Sequence, residues 1–164
     1  MTTETAPPRR DPVQDAAGAE RAEARALMQG ATFAALAWTD ARDGTPGISR
    51  VAFGFDPMAG MLLLVSGLAG HTPALKAQPA CALMVGEIAD RGDAMNHPRL
   101  MIRARAEFIA RDEGLRARWL ERNPKAKVYV DLPDFSLVRL HAVSATLNGG
   151  FARAFRLTAE DLAP

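Results

Sequence analysis

The chain has 164 residues, 48% hydrophobic and 24% charged, the proportions of one ordinary globular domain with a real core. Twenty basic against nineteen acidic residues leave a formal charge of +1, so no global field recruits nucleic acid or a membrane surface. The lone Cys81 excludes an internal disulfide, and its apolar setting, "ACALMV", predicts a buried, inert thiol in a reducing compartment.

Residues 1–10 carry almost no apolar mass and are expected to form a disordered tail ahead of a single domain over 11–164. The start lacks an apolar h-region, and the longest strongly apolar run, "MLLLV" at 61–65, is too short to span a bilayer, so a cytoplasmic location is expected. Pro12 at a first helical position, Ala-rich sequence to Met28 and Gly30 beyond predict a helix from Asp11.

From Ala31 the period turns to strand type. "TFAALAWT" is apolar and bounded by the turn residues "DARDGTPG". "ISRVAFGF" then alternates, with Val51, Phe53 and Phe55 on one face and Arg50, Ala52 and Gly54 on the other. The turn "DPMAG" joins it to "MLLLVS" as a hairpin. A short helix near 72–78 precedes a buried strand in "ACALMVGEI", and "RLMIRARAEFIA" alternates again. A helix from about Asp112 carries Leu115, Trp119 and Leu120 and stops at Asn123-Pro124. "AKVYVDLPDF" fits either a short helix or a strand, "FSLVRLHAVSATL" is a strand, and "NGG" turns into a last strand, "FARAFRL". Six or seven strands with short connections predict a mainly β fold, a barrel or sandwich with added helices.

The three histidines, 71, 97 and 141, show no metal-ligand spacing with one another, with Cys81 or with a carboxylate. His97 is expected to be solvated, and His141 packed or on the surface. Ser66, Ser136 and Ser144 lack a glycine elbow, and no phosphate-binding glycine motif is present. The stretch "VSGLAGHTPALKAQP" is more informative. Thr72-Pro73 reads as N-cap and first helical residue, which leaves amide N–H groups facing Gly70 and His71. Such a helix start suits a phosphate, with Ser66 adding a hydroxyl, although an ordinary cap looks the same. Arg50, followed on its face by small residues, offers a planar fork beside room for a flat ligand.

The ordered set "GISRVAFGFDPMAGMLLLVSGLAGHTPALKAQPACALMV", continued through "PRLMIRARAEFI" and "NGGFARAF", resembles the pyridoxamine 5′-phosphate oxidase-like split-barrel family. The likeness is nearest to its haem-utilisation branch. It implies a split β-barrel of FMN-binding type and a homodimer with FMN in clefts between two barrels. The chemistry implied is oxidoreduction of a small molecule. Haem binding or degradation and a non-catalytic FMN-binding dimer are the alternatives. By that resemblance Arg50, Val51, Ala52, Val65, Ser66, His71, Thr72 and Arg99 fall at cofactor-contacting positions. His71 replaces the lysine, and Gly70 the arginine, of the oxidases. The oxidases' C-terminal Arg-Leu-x-Pro signature is absent, so vitamin B6 oxidation is not implied.

Overall fold

Alternation decides the architecture, because a strand that turns every second residue inward can be closed on itself only if each neighbour does the same. The computed structural model describes residues 13–150 and 153–163. In chain order, a short strand β1 (Val13–Asp15) precedes helix α1 (Gly18–Gly30). An antiparallel meander of β2 (Phe33–Thr39), β3 (Pro46–Asp56) and β4 (Gly60–Ser66) follows. Helix α2 (His71–Ala77) leads to β5 (Ala80–Val85), which pairs with β2 and with β6 (Arg99–Ile109). After α3 (Glu113–Arg122), the long β7 (Phe135–Asn148) pairs with β6 along one edge and β4 along the other. That closes a six-stranded barrel in the order β7-β4-β3-β2-β5-β6. A final strand, β8 (Ala154–Thr158), extends β7, and β1 joins β8 in parallel. No helix among the described residues is long and apolar enough to cross a membrane.

The inward residues Leu36, Phe53, Leu63, Leu83, Leu100, Ile102, Val138 and Leu147 are sealed from solvent inside the barrel. A second cluster lies outside it, where Leu115 and Trp119 of α3 pack with Ala126 and Val130 on Leu62, Leu64 and Leu137. The Asp112 carboxylate accepts the Leu115 N–H at 2.7 Å and starts α3 as an N-cap. Leu115 and Trp119, one turn apart, then share a buried face. Gly54 lets the helix approach, since a Cβ there would lie 3.1 Å from the Trp119 ring.

The β3–β4 turn is built around a buried charge. One Asp56 carboxylate oxygen accepts the N–H groups of Met58 and Ala59 at 2.8 and 2.7 Å, and the other accepts Arg118 Nε of α3 at 2.6 Å. The turn and the helix are thereby tied together.

Two expectations are corrected and one open reading is resolved. The predicted helix from Asp11 begins only at Gly18. Val13–Asp15 is instead a strand, because β8 offers it a partner that lies far along the sequence. Asp11, Pro12 and the predicted disordered tail lie outside the described residues. "AKVYV" resolves into a 3-10 turn over Pro124–Val128, where Pro124 sets the first residue of the turn. Cys81 is part-buried rather than buried. Its Sγ–H points to the Ala104 carbonyl at 3.6 Å, and burial pushes the thiol up to about 11, which keeps it protonated and unreactive.

Candidate functional site

The site grows from β3. Because Val51, Phe53 and Phe55 turn into the barrel, Arg50, Ala52 and Gly54 face outward. Ala52 pairs with Leu64 of β4, so the bed beside Arg50 continues toward Val65 and Ser66. Past Ser66 the chain turns through Gly67 and Gly70 into α2, bringing His71 alongside. Arg50, Val51, Ala52, Val65, Ser66 and His71 line one groove of about 240 Å³, with Tyr129 and Phe135 forming its aromatic wall. Those two rings stand 5.1 Å apart at 36°. A second cavity of about 450 Å³ shares Arg50, Val51, Ala52 and Tyr129 and adds Arg122, Asn123 and Lys125.

The structure thus brings together six of the eight residues expected from sequence. Thr72 sits directly behind them, and Arg99 does not join them. Arg99 opens β6 and donates from Nη1 to the Met95 carbonyl at 3.0 Å. Sequence reasoning missed Tyr129, Arg122, Asn123 and Lys125. Their signal was the basic cluster on both sides of Asn123-Pro124, which read only as a helix stop.

The hydrogen bonding differs from a simple anion cradle. Contrary to the N-cap expected at Thr72, α2 begins at His71 with Gly70 as cap. The Thr72 side chain is 2% exposed, its hydroxyl donates to the Ser66 carbonyl at 2.6 Å, and its N–H donates to Ala69. The Ser66 hydroxyl donates to the Asp134 carboxylate at 2.7 Å and accepts the Leu68 N–H at 3.2 Å. Both hydroxyls that would hold a phosphate are therefore engaged within the turn, one of them beside a carboxylate. Arg50 remains the cation of this groove, its guanidinium 5.6 Å above the Phe33 ring.

His71 behaves otherwise. It is 7% exposed, burial lowers its pKa below the usual 6.5, and its ring has no hydrogen-bond partner among the described residues. A neutral imidazole with a free lone pair therefore lines the groove. The other two histidines are both bonded. His97, expected to be solvated, is half-buried: its Nδ1 accepts the Ala89 N–H at 3.2 Å and its Nε2 contacts the Arg91 carbonyl at 2.8 Å. Since Nδ1 must be the acceptor, Nε2 carries the proton, and the ring clamps its loop. The exposed His141 meets Glu107 at 2.7 Å. Among the described residues no three His, Cys, Asp or Glu side chains gather as a metal site.

These features test the two prosthetic groups the fold implies. A flat ring fits the small-residue bed in either case. FMN would also need a phosphate anchor, and here that reduces to Arg50 with the N–H groups of Gly70 and His71. Haem would need an axial donor and cations for its acidic groups, and His71 with Arg50, Arg122 and Lys125 match that set.

The fold and groove together define a split-barrel protein with a cation-edged groove outside β3 and β4. Residues 21–148 match the sequence model of the pyridoxamine 5′-phosphate oxidase family, and the chain belongs to it. It is 29% identical over 136 residues to the chloroplastic non-canonical haem oxygenase HOZ of Arabidopsis thaliana, covering 81% of this chain and 41% of that protein. The chain thus spans less than half the length of this curated relative. It superposes on a haem-binding protein from Mycobacterium smegmatis with a TM-score of 0.76 and 28% identity, over 92% of this chain and 61% of the other. The haem storage protein HutZ of Vibrio cholerae matches with a TM-score of 0.53 and 25% identity, over 74% of this chain and 84% of the other.

Proposed function

We propose that this chain is a haem-binding member of its family, working as a homodimer, with the ring held in the groove of Arg50, Ala52 and His71. The observation that carries the reading is the buried, neutral and unpartnered imidazole of His71 on a groove whose bed is mostly apolar and whose edge carries Arg50. The haem-related names of the relatives support it. Bound haem would supply iron redox chemistry, which is where any oxygenase or oxidoreductase activity would reside. The chain's own part is simpler. His71 offers a lone pair, Arg50 offers charge at the edge, and Tyr129 with Phe135 shields the bed from water.

FMN is the second reading, favoured by Arg50 beside a flat bed and by the family itself. Titration of the purified protein with ferric haem and, separately, with FMN decides between them. A Soret band saturating near one equivalent per chain is expected, with His71→Ala weakening binding at least tenfold. Because burial holds the imidazole below 6.5, the band should survive mild acid and collapse only when His71 is protonated. A flavin spectrum saturating near one equivalent with no Soret change would give the groove to FMN instead.

The dimer rests on a separate face. Outside β3, β2, β5 and β6 the register aligns Ile48, Ala37, Ala82 and Arg103 in one row and Arg50, Ala35, Met84 and Met101 in the next. Ile48 is 78% exposed and Met84 49%, on a flat bed of alanines with Arg50 at its rim. A second copy covering this face would border the groove, since Arg50 belongs to both. Sedimentation should show a dimer at micromolar protein, and Ala37→Glu with Met84→Glu should yield monomers, because two carboxylates cannot be desolvated there unpaired. A monomeric wild-type protein would remove this part of the reading.

A further inference from the structure

The larger cavity beside β3 collects cations without acids. Arg50 comes from the strand, Arg122 from the last turn of α3 and Lys125 from the 3-10 turn beyond it, while Asn123 and Tyr129 add neutral polar groups. None of the three cations is in an ion pair among the described residues. Arg50 lies over Phe33, and Arg122 is aimed by donating one guanidinium N–H to the Gln29 carbonyl. Several nearby carboxylates are committed elsewhere: Asp131 to Arg116, Asp56 to Arg118 and Asp134 to Ser66. Glu121 adjoins Arg122 in sequence but does not line the cavity.

Three like charges around one cavity of about 450 Å³ repel one another, and Lys125 has no hydrogen bond, ion pair or ring contact among the described residues to offset it. An anionic ligand would. The cations come from β3, α3 and the 3-10 turn, and a guanidinium fork and an ammonium each match a carboxylate.

We infer that this cavity is a carboxylate-recognition subsite in which Arg122 and Lys125 bind the acidic side chains of a tetrapyrrole and thereby select the free acid over neutral analogues. The assignment rests on the haem reading given above. Arg122 can fork a carboxylate through its remaining N–H groups, and Lys125 adds a mobile point charge. Arg50 belongs to both cavities and links the acid-binding end to the ring bed.

The test uses two probes on the whole protein, ferric haem and its dimethyl ester, which keeps the ring and iron but removes both negative charges. Wild type should bind haem at least tenfold more tightly than the ester by Soret titration. Arg122→Ala with Lys125→Ala should weaken haem about a hundredfold, roughly tenfold for each charge-assisted contact, and change ester affinity less than twofold. The salt dependence of haem binding should flatten in the same variant. Since Arg122 also holds the Gln29 carbonyl, Lys125→Ala alone serves as a second variant, expected to lose about tenfold with an unchanged thermal midpoint. Equal affinity of wild type for haem and ester, or haem binding unchanged in the double variant, would sink the subsite while leaving the haem reading in place. No Soret change with either probe would overturn the haem reading, and the subsite with it.

Discussion

Gly86→Ala is expected to destabilise the protein by about 4 kcal/mol and lower its thermal midpoint by roughly 10 °C. Gly86 follows β5 with φ at +131°, a region that side chains of L-residues rarely enter. The surroundings make matters worse. A Cβ at this position would lie 2.5 Å from the Pro98 carbonyl oxygen and 2.9 Å from the Arg99 Cα. Both are backbone atoms at the start of β6, so no rotamer change relieves the overlap and the β5–β6 connection must shift. Strain of about 1–3 kcal/mol and overpacking of about 1–3 kcal/mol then add. Gly18→Ala is the control: nothing lies within 4 Å of its Cβ, and the change should stabilise slightly. A Gly86→Ala midpoint within 2 °C of wild type would show that the connection yields freely.

The second large effect concerns Asp56. Burial pushes this carboxyl up, but the Arg118 guanidinium and the N–H groups of Ala59 and Met58 outweigh it and hold the pKa below the usual carboxylate value. Asp56→Ala leaves two turn N–H groups without their acceptor and a guanidinium without its partner. A fully buried pair broken this way costs about 3–5 kcal/mol. Arg118 keeps 35% of its side chain in water, which trims the expectation to about 2–3 kcal/mol. The pH dependence has a definite sign. With the folded pKa depressed, the unfolded state binds the proton more readily, so the contribution is complete above the unfolded value near 4 and fades as pH falls through the folded one. Urea unfolding of wild type and Asp56→Asn should therefore differ at pH 7 and 5 and converge toward pH 3. A difference that persists unchanged at pH 3 would assign the effect to packing rather than charge.

The parts of this fold legible from sequence are those whose cause is local. The β3–β4 hairpin shows in the alternation of Val51, Phe53 and Phe55 and in the Asp-Pro start of its turn. Helix α3 shows in Asp112, Leu115 and Trp119. β1 was illegible because nothing in "VQD" marks it as a strand until Ala154, Phe155 and Arg156 lie beside it. The site divides in the same way. Arg50 and Ala52 could be found from their strand face, whereas the engagement of Ser66 depends on Asp134, 68 residues further on. Tyr129 hid in a segment whose helix and strand signals cancel, while Arg122 and Lys125 read only as the flanks of a helix stop. Only packing against β4 and β7 resolves that segment.

The parallel pairing of β1 with β8 also bears on how the chain is made. Val13 finds its register only opposite Ala154, so β1 leaves the ribosome long before its partner strand and must wait for it. At ordinary elongation rates the delay is roughly ten seconds. The β2–β4 meander and the β5–β6 hairpin pair within their own stretches of chain and can assemble meanwhile. Barrel closure by β7 must follow them, and docking of β1 comes last. A ribosome-bound chain stopped before β8 would therefore carry an unpaired N-terminal segment open to protease, and release of the final strand would protect it.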